Sequence, residues 1–340
     1  MIIDNKDCMN IVYTCDNNFV WIMGISMISL FENNRECDNI HVYLLGDGIS
    51  EENRVTLSSI ASNYQRTFTL INVPDLNIPE KLSSARWPKS AFTRMFAGEL
   101  LPKEIDKVVY LDCDTIISAS IEDLSLYPTD NYAICGVKDC VSRPYKDKIG
   151  IVKNGSYINA GVLLMNLNKL REFDIRKMIS DFVDKYESAI SYADQDILNG
   201  IFKGIFGVLP PQYDLMTLVS VYSYKELEQI RHPDNYYTED EIEYSKKSPR
   251  IIHYTTCMLN IRPWCVDSKH TYAWMFDKYQ SMSPWADKEK TKANFTAKEY
   301  RIIKSILSLP PALAYRVLGL IHAYLRPYYI IGTSKFKRRL

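Results

Sequence analysis

The chain has no excess of either charge: 41 Lys+Arg balance 41 Asp+Glu. This removes any whole-protein attraction for nucleic acid. It also lacks the cysteine spacing of a metal ribbon or a disulfide scaffold. The eight cysteines, at 8, 15, 37, 113, 135, 140, 257 and 265, include no CxxC pair and are scattered through apolar stretches. They read as reduced thiols of a cytosolic protein. No uncharged apolar run approaches the roughly 18 residues that a spanning helix needs. The opening MIIDNKDCMN has no basic stretch followed by an apolar one, so no signal peptide is expected. There is no internal repeat and no low-complexity segment. What is left, 46% hydrophobic and 24% charged over 340 residues, is ordinary globular composition.

Along the chain, β-branched runs alternate with helical periodicity. NIVYT (10–14) reads as a strand, followed by Phe19, Ile22, Met23, Ser26, Met27 and Leu30 at helical spacing. IHVYLL (40–45) is a second strand. Ser50, with Glu51 and Glu52 behind it, is an N-cap for a helix running to about Tyr64. TFTLIN (67–72) is a third strand. This βαβαβ order predicts an α/β protein with a mostly parallel, doubly wound sheet, whose ligands gather at the carboxyl ends of the strands. KVVYLD (107–112) is apolar on both faces, as a central strand should be. YAICGV (132–137), YINAGVLLMN (157–166) and RIIHY (250–254) follow as strands, with an amphipathic helix carrying Ile175, Met178, Ile179, Phe182, Val183 and Tyr186 between the last two. Residues 216–248 are Tyr-rich and charged and read as loops and short helices. A composition shift past Pro284 divides a domain at 1–284 from a basic, aromatic-rich region at 285–340.

The chemistry concentrates where KVVYLD runs out into Asp112-Cys113-Asp114. Two carboxylates spaced i and i+2 at a strand end either cap the next turn or reach one cation, Asp114 directly and Asp112 directly or through water. Oxygen ligands of this kind suit Mg²⁺ or Mn²⁺, which bridge phosphate oxygens. A phosphatase nucleophile of DxDx[T/V] type is disfavoured, because Ile116 holds the last place and three strands precede the motif.

The chain resembles the retaining nucleotide-sugar glycosyltransferases of family 8 over about residues 9–265, through IVYTCDNNF, ISEENR, SAFTRMFAGELLP, IDKVVYLDCDTII, YINAGVLLMNL and DQDILNGIF. The resemblance implies a GT-A type nucleotide-sugar-binding fold and a role for each matching residue. Thr14, Asp16 and Asn18 would bind uracil and ribose, Arg94 the sugar or diphosphate, and Cys113 would lie with the donor. Asp112, Asp114 and His253 would hold Mn²⁺, with Mg²⁺ as the alternative, on the UDP diphosphate. Asn159, Ala160 and Gly161 would face the donor sugar, Asp194 would accept from its hydroxyls, and Gln195 would lie near the anomeric carbon. The pattern breaks after His253, where HYTTCMLNIRPW puts Arg262 nine residues on, three more than the family's lysine. Arg262 would still clamp the diphosphate.

The function this implies is transfer of galactose or glucose from a UDP-sugar to a saccharide or lipid-linked saccharide acceptor in cell-surface polysaccharide synthesis. The alternative is a non-catalytic UDP-sugar-binding or membrane-associated scaffold of the same fold. From Lys298 to Leu340, nine Lys/Arg face the single acid Glu299. Ile302, Ile303, Ile306, Leu313, Val317, Leu320, Ile321 and Tyr324 recur there at helical spacing. A basic amphipathic helical tail of this kind predicts attachment to an anionic membrane surface, and with it a cytoplasmic protein peripheral on the inner face of the cell membrane.

Overall fold

The computed structural model describes residues 8–78, 82, 89–293 and 296–329. Its centre is a seven-stranded sheet in the order β3-β2-β1-β4-β7-β6-β8. The strands are β1 (Cys8–Asp16), β2 (Asn39–Asp47), β3 (Thr67–Asn72), β4 (Lys107–Leu111), β6 (Ile134–Lys138), β7 (Ile158–Asn166) and β8 (Phe206–Leu209). Every neighbouring pair is parallel except those made by β7, which runs antiparallel to both β4 and β6. The fold is therefore the expected mixed α/β arrangement around a mostly parallel sheet.

Alternation along β1 and β4 sends side chains to two cores. Ile11, Tyr13, Val109 and Leu111 face one side, with helices α1 (Val20–Asn33) and α2 (Glu51–Asn63). Val12, Val108 and Tyr110 face the other, with Phe92, Met95 and the helices Ile175–Tyr186 and Ala193–Ile201. Both faces are covered, which explains why β4 reads as apolar throughout. The Ser50 cap forms as expected, its hydroxyl accepting from the Asn53 N–H at 3.3 Å.

A second sheet, β5-β10-β9, is short: β5 (Thr115–Ile117), β9 (Leu215–Met216) and β10 (Ile251–His253). It decides the site, because antiparallel pairing sets His253 opposite Thr115, the residue after Asp114. Residues 217–247 form the expected loops and short helices, the helices being Thr217–Val221, Tyr224–Arg231 and Glu239–Lys247. The last two open on reciprocal capping boxes, Ser223 with Glu226 and Thr238 with Glu241.

The expected tail is helical: Ala297–Leu307, then Pro311–Gly319 continuing as a wider π-type turn over Leu320–Leu325. One of its faces packs on the body. Ala314, Leu318 and Ala323 are buried, Tyr222 meets Tyr315 edge to face, and Ser142 Oγ donates to the Ala323 carbonyl at 2.8 Å. Gly319 lies so close to the Gln229 carbonyl that a Cβ there would stand 2.1 Å from it. Leu313, Leu320, Leu325 and Tyr328 remain exposed. The basic run Lys335, Lys337, Arg338, Arg339 lies outside the described residues. Among the described residues no helix is long and apolar enough to cross a membrane.

Candidate active site

The strand ends converge on one cleft of about 460 Å³, lined by Arg94, Asp112, Asp114, Asn159–Gly161, Asp194, Gln195, His253 and Arg262 among others. Because β7 runs antiparallel to β4, its first residues lie beside the last ones of β4. The Asp112 N–H donates to the Gly161 carbonyl at 2.7 Å. Gly161 must be glycine: a Cβ would stand 2.2 Å from the His253 ring.

Asp112, Asp114 and His253 each offer a ligand atom, all within 4.8 Å of one another. His253 Nε2 lies 3.3 Å from Asp114 Oδ1 and 3.8 Å from Asp112 Oδ2. Its other nitrogen, Nδ1, is 2.9 Å from Asp214 Oδ1. With Asp214 ionised, Nδ1 carries the hydrogen and the Nε2 lone pair faces the two aspartates, as a carboxylate–imidazole–metal arrangement requires. Burial opposes a charged imidazole here, yet Asp214 and Asp114 outweigh it and hold the His253 pKa well above its ordinary value. The pull on a proton at this point is what a divalent cation would replace. Two carboxylates and one oriented imidazole suit Mn²⁺ or Mg²⁺, so the residues fit such an ion.

Two arginines brace the carboxylates. Arg94, buried, stacks 4.5 Å over the Tyr110 ring. Its Nη2 is 2.9 Å from Asp112 Oδ1 and its Nε is 3.0 Å from Asp194 Oδ2. Nη1 donates to the Ala160 carbonyl at 2.6 Å. Burial pushes the Asp194 carboxyl up to about 6, Arg94 opposing and Asp112 adding to the shift. Arg262 Nη2 lies 2.8 Å from Asp114 Oδ2. Burial would raise the Asp114 pKa, but Arg262 and His253 outweigh it and hold it well below the carboxylate range. The lengthened loop after His253 is taken up by a tight turn, in which Cys257 and Asn260 exchange backbone hydrogen bonds at 3.1 and 2.8 Å and Met258 takes φ +54°. That turn returns Arg262 to the cleft.

Gln195 is fixed on three sides. Its carbonyl accepts from the Ala160 N–H at 3.2 Å, and its amide donates to Asp139 Oδ2 at 2.9 Å and to Tyr157 Oη at 3.2 Å. Behind it, the fully buried Asp196 accepts from Tyr157 Oη at 2.7 Å and from the Tyr192 N–H at 3.0 Å. Asn159 Oδ1 accepts from the Gly161 N–H at 2.7 Å.

Four of the expected donor residues do not line this cleft. The Thr14 hydroxyl is 3.0 Å from Tyr110 Oη, which itself donates to Asp112 at 2.6 Å. Thr14 therefore braces Asp112 from behind. Asp16 Oδ1 accepts from the Asn18 and Phe19 N–H groups at 2.9 and 3.2 Å, a turn at the carboxyl end of β1 that leaves the Asn18 side chain exposed. The Cys113 thiol points back to the Thr14 carbonyl, 3.4 Å away. In the other direction, Tyr110, Asp139 and Asp214 belong to the site and were not singled out from the sequence. Asp139 directly follows β6, so position at a strand's carboxyl end was a usable signal. Asp214 had none, because its role depends on the pairing of β9 with β10.

The profile of Glycosyl transferase family 8 matches residues 10–268. The chain is 31% identical over 206 residues to a Haemophilus influenzae protein described as a glycosyltransferase, spanning 58% of this chain and 60% of that one. It is 25% identical over 293 residues to the lipopolysaccharide 1,2-glucosyltransferase of Escherichia coli K12, spanning 84% of this chain and 81% of that one. Among solved structures, the galactosyltransferase LgtC in complex with donor and acceptor sugar analogs superposes with TM-score 0.69 at 24% identity, over 87% of this chain and 100% of that one. That likeness identifies the fold as GT-A. The chain belongs to glycosyl transferase family 8 and is a glycosyltransferase that uses a nucleotide sugar.

Proposed function

We propose that the protein transfers galactose or glucose from a UDP-sugar, with retention at the anomeric carbon, to a saccharide or lipid-linked saccharide acceptor of cell-surface polysaccharide synthesis. The observation that carries the reading is the convergence of Asp112, Asp114 and an Asp214-oriented His253 in the cleft that also holds Arg94, Asp194 and Gln195. A divalent cation held by these three ligands, Mn²⁺ or Mg²⁺, would supply Lewis-acid charge to the departing diphosphate. Arg262 adds a fixed fork of donors on the same leaving group. Asp194, kept in position by Arg94, accepts from donor-sugar hydroxyls, and Gln195 lies against the anomeric centre. Gln195 is a poor nucleophile, and the nearby Asp139 and Asp194 are already engaged by Gln195 and Arg94. Attack by the acceptor on the face that the diphosphate leaves is favoured over a covalent glycosyl-enzyme. A non-catalytic binding protein of this fold would have little use for three convergent metal ligands.

The same reading includes attachment to an anionic membrane, with 1–284 as catalytic domain and 285–340 as the attaching region, on the cytoplasmic side. It is supported by the split faces of the tail: Ala314 and Leu318 turned inward, Leu313, Leu320 and Leu325 outward among basic residues. The decisive assay is hydrolysis and transfer with a panel of UDP-sugars, with and without Mn²⁺. Turnover of none of them, or turnover indifferent to metal and chelator, would sink the proposal.

A further inference from the structure

Three arginines line the cleft. Arg94 and Arg262 hold carboxylates. Arg231 holds none: among the described residues no carboxylate lies within ion-pair distance of it. It is the last residue of the helix Tyr224–Arg231. A basic residue there would ordinarily lie along the terminal carbonyls or in water. The Arg231 Nε is instead buried with no hydrogen-bond partner, and the guanidinium sits among Tyr192, Cys257, Cys140 and Asp139, with the Asp139 carboxylate beyond ion-pair distance and engaged by Gln195. The C-terminal helix brings a second guanidinium to the same place, Arg326, 5.9 Å over the Tyr192 ring and likewise without an ion-pair partner among the described residues. His322, between them, is pushed down to about 3, first by burial and then by Arg231 and Arg326. The imidazole stays neutral beside two guanidinium groups that no carboxylate pairs directly among the described residues.

A guanidinium partly withdrawn from water with no carboxylate in direct contact is left short of partners, and a bound anion would supply them. The metal site, Arg94 and Arg262 already meet the charge of a nucleotide-sugar diphosphate. Around Arg231 the cleft offers an aromatic ring and small apolar side chains, surfaces on which a sugar ring packs.

We infer that this part of the cleft is the acceptor subsite and that Arg231 binds an anionic substituent of the acceptor saccharide, a phosphate monoester or a carboxylate. The inference rests on the transferase reading above and names the acceptor's chemical class. Arg231 presents a planar fork that pairs with either anion in bidentate fashion. Arg326 adds long-range attraction and packs over the Tyr192 ring, which ties the tail to the subsite.

The test is equilibrium binding to the full chain saturated with UDP and Mn²⁺, by calorimetry, of three probes: methyl glucoside, methyl glucoside 6-phosphate and methyl glucuronide. The expected result is that one or both charged probes bind roughly 10- to 100-fold tighter than the neutral one, as a charge-assisted contact predicts, with the ratio falling as salt rises. Tight binding of the phosphate alone identifies a phosphorylated acceptor, and of the glucuronide alone an acidic sugar. In Arg231→Gln the charged-to-neutral ratio collapses to about one, and in Arg231→Lys part of it returns; the ratio within each variant cancels any general loss of folded protein. Equal binding of all three probes by the wild type would overturn the inference, as would an unchanged ratio in Arg231→Gln. So would a loss of UDP affinity in that variant with the ratio intact, which would assign Arg231 to the donor. If Arg231→Gln does not fold, the wild-type ratio and Arg231→Lys still decide. No turnover is read, so failure of the UDP-sugar panel would leave this result standing, and failure here would leave the transferase reading standing.

Discussion

Around the strand ends of the cleft each arginine has its carboxylates: Arg94 holds Asp112 and Asp194, and Arg262 holds Asp114. Around the helix ends Arg231 and Arg326 have none among the described residues. The difference separates charges that build the site from charges that await a ligand. Paired groups fix Asp112, Asp114 and His253 to each other before anything binds, which is the preorganisation that electrostatic catalysis needs. Those without a directly bound carboxylate keep donors that a bound anion can take up. Substitutions on the paired side should therefore damage chemistry, and those on the unpaired side should change which acceptor is preferred.

The largest effect is expected at Asp114. Its side chain joins the metal set and Arg262 but contributes little to either core, so Asp114→Ala should lower transfer by about a thousandfold or more. The melting temperature should change little. Near-normal turnover at modest Mn²⁺ would break the assignment of the paired side.

Asp194 tests the cost of holding charge there. Its carboxyl lies near 6 in the folded protein, above an unfolded carboxyl near 4. Between those values the native state binds more protons, so this residue's contribution to stability is largest at low pH and is lost as pH rises through 6. Above that, keeping Asp194 ionised costs roughly 3 kcal/mol at most. Asp194→Asn should therefore gain in melting temperature relative to wild type between pH 4 and pH 7.5 while transfer collapses. A stability difference independent of pH would refute the buried-charge account.

Asp214 is expected to matter less, because it acts through His253. Asp214→Asn leaves the three ligands in place but weakens the hold on the imidazole tautomer, and should raise the Mn²⁺ concentration for half-maximal activity by about 10- to 100-fold. Saturating metal should recover most of the rate. A loss of rate that no metal concentration restores would mean a structural role only.

The contrast between paired and unpaired regions also marks what could be read from the sequence. The runs that became β1, β2, β4 and β7 are legible because burial on both faces leaves continuous apolar stretches, the edge strand β3 because its residues are of strand type, and Ser50 because a cap is local. Asp112 and Asp114 stand out by their spacing at a strand end, His253 and Arg94 by motif resemblance, and the structure brings the four together. β5 and β9 are too short, three and two residues, to carry a pattern of their own, and they determine where His253 and Asp214 meet. The helices Tyr224–Arg231 and Glu239–Lys247 did carry local signals, Ser-x-x-Glu and Thr-x-x-Glu. Each buries so few apolar side chains that periodicity does not fix its bounds, and the region reads only as loops and short helices. Arg231 is invisible in sequence for a related reason: only the fold shows that its partner is missing.

The smallest effect is expected on the outer face of the tail. Leu318 is buried against the body and Leu320, two positions on, is 54% exposed. If the outward face rests in an anionic lipid surface, Leu320→Asp removes apolar contact and adds a like charge to the lipid headgroups. It should lower co-sedimentation with phosphatidylglycerol-containing vesicles several-fold, since a partly buried leucine contributes on the order of 1 kcal/mol. The melting temperature should change little, because Leu320 is more than half exposed while Leu318 makes the buried contact. UDP-sugar hydrolysis in solution should also be retained. Wild-type protein that stays in the supernatant with such vesicles, or Leu320→Asp protein that pellets as well as wild type, would mean that the outward leucines are an ordinary solvated face and that the tail serves only the cleft.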